Sequence, residues 1–158
     1  MTRSERYFVG IVAHFTDMGF ANNLEICDCT LSLSLTTGTG RVNVSLTFFP
    51  WSVMVYARHS RAAGNDHERV VASSVMREYN HYYGESDAFG LSDKGEPAFT
   101  MDYNFRYRGP VRDFGLEDFC SYMTKTIPAR LETIARLFAE DTTATRSSNA
   151  DDHALAAV

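Results

Sequence analysis

No run of apolar residues in the 158-residue chain approaches the ~20 needed to cross a bilayer, so membrane spanning is not expected. Cysteine is sparse. Cys27, Cys29 and Cys120 are odd in number and follow no disulfide-framework spacing, which argues for a reducing compartment. The opening stretch MTRSERYFVGIVAHF lacks both a long apolar core and a small-residue cleavage site. It reads as mature protein, and the expected location is cytoplasmic. Positive charge is in deficit, with 15 Lys and Arg against 20 Asp and Glu, a net charge of −5. The densest basic cluster, Arg106, Arg108 and Arg112, is diluted by Asp102 and Asp113. A polyphosphate partner needs a concentrated basic patch, so nucleic acid is disfavoured.

Catalytic and cofactor signatures are also missing. The five histidines form no HExxH pair, and there is no GxSxG elbow. GTGRV, residues 38–42, fails as a dinucleotide loop because it joins two expected strands, whereas such a loop must open a helix. A hairpin turn explains it. Cys27-x-Cys29 could be half of a metal site, but alternation places both thiols on one face with Leu31, Leu33 and Leu35, where cysteine serves as a small core residue. No carboxylate stands in an apolar strand interior where desolvation would tune it. The expectation is no catalytic residue, no metal and no cofactor.

Hydrophobic residues make up 44% of the chain, a globular composition, and their spacing changes period along it. Tyr7, Phe8, Ile11, Val12, Phe15 and Met18 follow one helix face, with Thr2 and Glu5 as a capping box and Gly19 as a stop. Period two then takes over: residues 24–35 and 41–49 read as an antiparallel hairpin, and SVMVYA after Pro50-Trp51 as a third strand. Asn65 and Glu68 open a second helix carrying Val71, Val75, Met76, Tyr79 and Tyr82, ended by Gly84. A short strand near 88–91 turns through DKGE into a long one. Leu116 to Phe138 keep helical spacing, with Pro128 predicting a kink or two abutting helices. The order is α-β-β-β-α-β-β-α, an α+β fold with a mainly antiparallel sheet covered by helices. Residues 1–140 read as one domain and 141–158 as a disordered tail.

Phe99, Met101, Tyr103, Phe105 and Tyr107 alternate with Thr100, Asp102, Asn104, Arg106 and Arg108. Rings interleaved with arginine suit a base-stacking sheet, but three amphipathic helices need an apolar surface to bury against, and this is the most apolar one available. The stripe is expected under the helices.

The second half, from VVASSVMREYNHYYG through AFGLSDKGEPAFTMDYNFRYRG to the long closing helix, resembles the YbjN family and the class I type III secretion chaperones, with Asn80 matching the asparagine usual at the end of their second helix. The resemblance covers roughly residues 5–140. It implies a homodimer that holds another polypeptide: a client, or a regulatory partner. Phe49, Trp51 and Tyr56 flank the proline bend and are the candidate partner-binding residues, one of them left exposed as an anchor; composition favours the alternative that all three are core. The competing reading is a small-molecule sensor or enzyme with a pocket between sheet and helices.

Overall fold

The computed structural model describes residues 2–83, 87–104 and 115–138. Helix α1 (Arg3–Asp17) begins at the expected capping box: Thr2 accepts from the Glu5 amide at 3.1 Å, and the Glu5 carboxylate accepts from the Thr2 amide at 2.6 Å. Those bonds hold the Glu5 carboxyl below its ordinary range. The helix ends where Gly19 takes φ +90°, a conformation that disfavours any side chain. Gly19 N–H then reaches Thr16 and Phe20 N–H reaches Phe15, closing the last turn.

Four strands, not three, follow: β1 (Leu24–Cys27), β2 (Thr30–Thr36), β3 (Arg41–Phe48) and β4 (Ser52–His59). The expected strand 24–35 is broken by a two-residue turn in which Asp28 adopts φ 51°, a left-handed conformation that aspartate tolerates. Cys27 pairs with Thr30 across it. The turn carries both thiols out of the core, so Cys27 and Cys29 are exposed. Cys120 is buried as its helical spacing predicts, and burial pushes its thiol up to about 12, the mark of a packing residue.

Helix α2 (Asp66–Tyr83) starts with half the expected box. Glu68 N–H donates to Asn65, but the Glu68 carboxylate accepts from Gly64, one residue further back. β5 (Asp87–Leu91) and β6 (Pro97–Asn104) complete a six-stranded antiparallel sheet of order β1-β2-β3-β4-β6-β5. The closing segment runs as α3 (Leu116–Ser121), a π-helical turn (Tyr122–Thr126) and helical residues 127–138. Ile127 N–H bonds to Tyr122 O, so the widened turn sits immediately before Pro128, which has no amide hydrogen to give. The irregularity expected at the proline takes this form.

Every second residue of β2, β3 and β4 points under the helices. Leu31, Leu33, Val42, Val44, Leu46, Val53, Val55 and Ala57 are all buried in one core that continues into α1, α2 and the closing segment. Phe8 stands edge-on to Phe48 with centroids 5.1 Å apart, and Phe99 packs against Tyr122. The aromatic stripe is therefore clothed where it is described: Phe99 and Met101 are buried and Tyr103 is half-buried against Tyr7 and Phe119. Phe105 and Tyr107, the Gly84 stop and the tail at 141–158 lie outside the described residues. Among the described residues nothing covers the opposite sheet face, which carries a ladder of Glu25, Ser32, Ser45, Tyr56 and Thr100.

Candidate functional site

The β2 start, the β3 end and the first turns of α1 converge at one end of the sheet. Phe48 N–H donates to Cys29 O, which holds the 28–29 turn beside the β3–β4 connection. In that connection Phe49 N–H bonds to Ser52 O, leaving Pro50 and Trp51 at the tip of a tight turn; the missing amide hydrogen of Pro50 costs nothing there. Between these turns and α1 lies an open groove of about 420 Å³, floored by Phe8, Val9, Cys29, Phe48, Phe49 and Pro50 and edged by Glu5 and Asp28.

The candidate partner-binding residues are all at the surface: Trp51 is 54% exposed, Phe49 42% and Tyr56 36%. The structure brings Phe49 and Trp51 together on one turn. It places Tyr56 elsewhere, on the open sheet face, where with Ser32, Ser34, Asn43, Ser45 and Arg58 it lines a shallow polar depression of about 310 Å³. Val9, Ile26 and Met54 are also exposed, and each sits within a few residues or one register step of the same two turns or of the groove. Contiguous exposed apolar side chains are one mark of a contact surface, whereas scattered ones are ordinary. Sequence reasoning missed Val9, Ile26 and Met54, since each occupies a position that an amphipathic pattern permits to be either inside or out.

A second polar cluster lies at the opposite end of the same strands. His59 is fully buried, and its Nε2 lies 2.8 Å from Glu132 Oε2. Arg61 N–H donates to Nδ1 at 2.9 Å, so the ring proton rests on Nε2 and is given to the carboxylate. Thr39 donates to the same carboxylate oxygen at 2.8 Å, and Arg136 Nε donates to Oε1 at 3.2 Å. Burial works to raise the Glu132 carboxyl. The bonds from Thr37, His59, Thr39 and Arg136 outweigh it and bring the group down to about 2.

A nucleophile–histidine–carboxylate relay needs the two imidazole nitrogens to face different partners. Here the threonine hydroxyls and Glu132 meet the same nitrogen and the backbone holds the other. The cluster is a tie between the β2–β3 hairpin and the closing helix. Among the described residues no group of three or more His, Cys, Asp or Glu is placed to hold a metal ion, and no helix is long and apolar enough to cross a membrane. Comparison of the chain with protein-family models and with curated protein sequences gives no match.

Proposed function

We propose that this chain is a non-enzymatic polypeptide-binding module, a chaperone, adaptor or regulator that also associates with a second copy of itself. The observation that carries the reading is the end groove: an apolar floor that includes the exposed Phe49 and Val9, with the exposed Trp51 on the adjoining turn. A buried aromatic anchor surrounded by smaller apolar contacts is how polypeptide interfaces concentrate their affinity, and tryptophan is the residue most enriched there. The antiparallel sheet flanked by helices is a feature that the resemblance to the secretion chaperones and YbjN proteins leads one to expect.

Native affinity capture with three proteins tests the proposal: wild type, Phe49→Ser/Trp51→Glu, and Val70→Glu. Val70 is 67% exposed on α2, away from the groove, and serves as the control. The expected result is a stoichiometric polypeptide retained by wild type and Val70→Glu and lost at least tenfold by the groove variant. A capture pattern identical for all three proteins would overturn the reading.

A further inference from the structure

The end groove carries charge of one sign. Glu5 stands on the wall made by α1 and Asp28 on the wall made by the β1–β2 turn, with Phe8, Phe48 and Phe49 in the floor. Among the described residues no Lys, Arg or His lines it. The face of α1 turned to the groove holds Ser4, Glu5, Phe8 and Val9. At 3.6 residues per turn, Arg6 falls about 130° round the helix from the middle of that face, so it is directed away from the rim.

Both carboxylates are placed by the backbone. Glu5 is held by the Thr2 amide, which donates to its Oε2, and the capping bonds keep it ionised. Asp28 occupies the left-handed corner of its turn, and its carboxylate has no hydrogen-bond or ion-pair partner among the described residues. An apolar side chain that enters the floor leaves its own chain neighbours at this rim. Acidic neighbours meet like charge there; basic ones meet opposite charge. An extended segment advances about 3.3 Å per residue, so a cation two positions from the anchor starts about 7 Å from it, a span that a lysine or arginine stem covers.

We propose that the segment this groove accepts is basic and apolar together: an apolar side chain on the floor, with Lys or Arg within two residues of it to meet Glu5 and Asp28. The assignment rests on the polypeptide-binding reading and adds its specificity. The same rim repels negatively charged lipid headgroups and phosphates, so an anionic membrane or nucleic acid is a poor occupant.

Random dodecapeptides displayed on phage are selected against the wild-type protein and counter-screened against Phe49→Ser. Clones that need Phe49 are expected to carry Lys or Arg within two residues of an apolar side chain about threefold more often than the unselected library. The strongest such peptide is then synthesised beside a copy whose Lys and Arg are changed to Glu. Binding is followed by the emission of Trp51, the single tryptophan of the chain, in wild type, Glu5→Gln, Asp28→Asn and Glu25→Gln. Gln serves at the third position of a capping box and Asn adopts the left-handed conformation as Asp does, so both rim variants keep their local structure. Glu25 lies outside the groove, on the open sheet face, and controls for net charge. At low salt the acidic copy is expected to bind wild type about tenfold more weakly than the basic peptide. Each rim variant is expected to weaken the basic peptide about two- to fivefold, Glu25→Gln to leave it unchanged, and the preference to shrink as salt is raised. Phe49-dependent clones without basic enrichment, or rim variants that bind both peptides as wild type does, overturn the charge assignment and leave the groove reading standing. A selection that yields no Phe49-dependent clone overturns the polypeptide-binding reading as well.

Discussion

His59 and Glu132 are 73 residues apart in sequence and bonded in space, and neither is replaceable without leaving the other buried and under-satisfied. Their contribution carries a pH signature. The folded Glu132 carboxyl titrates at about 2, below its ordinary 4.5, so its stabilisation is fully present above pH about 4.5 and is lost as pH falls toward 2. The size is on the order of 2–3 kcal/mol at neutral pH. Urea midpoints measured from pH 7 to pH 2 are expected to fall more steeply for wild type than for Glu132→Gln, which starts lower and flattens across that window. Parallel profiles would remove Glu132 from the account. His59 reads from the sequence as the start of a polar loop, residues 59–66, but β4 runs on to it and keeps it in phase with the buried Val53, Val55 and Ala57. Its partner was not legible either, because Glu132 meets it through the closing helix and no local spacing connects the two.

At the level of elements, the hairpin turns hold what composition alone leaves open. Gly40 faces Ser60: a Cβ there would lie 2.5 Å from Ser60 Oγ and 3.1 Å from His59, and Ser60 Oγ already accepts from Arg41 N–H. A Cβ at Gly38 would lie 3.1 Å from both Arg136 Nη2 and Glu132 Oε1. The glycines of TTGTG thus let the turn approach the His59–Glu132 tie, a role beyond making a hairpin. Gly40→Ala is expected to cost about 1–3 kcal/mol in urea unfolding. Adding Ser60→Ala should recover part of the loss, since it removes the clashing oxygen; strictly additive costs would contradict the contact.

The helices were readable because caps and periodicity agree: Thr2 with Glu5 and Asn65 with Glu68 mark starts, and Gly19 marks an end. The β1–β2 turn escaped notice because apolar Leu24 and Ile26 occupy even positions and Leu31, Leu33 and Leu35 odd ones. That change of phase is the mark of a turn, and continuing the later phase backward assigned Cys27 and Cys29 to the core.

Among the described residues, one sheet face is buried, one is polar and open, one edge is sealed by Asn80, whose side chain bonds the Phe89 backbone, and the exposed large apolar side chains other than Tyr56 and Val70 lie on or near the turns and the groove at one end. Apart from the β1–β2 turn, the order of strands and helices could be read from the sequence, whereas this asymmetry depends on which residues meet at the ends of strands far apart in the chain. On the proposed reading, polypeptide binding is expected to be confined to the groove end. Photo-crosslinking in cells tests this most directly, with p-benzoylphenylalanine placed either at position 51 or at position 70. Ultraviolet-dependent adducts to another polypeptide are expected from position 51 and not from position 70, with the adduct reduced when Phe49→Ser is added. No adduct at position 51, or the same adducts from both positions, would contradict the claim that the groove end is where this protein meets its partner.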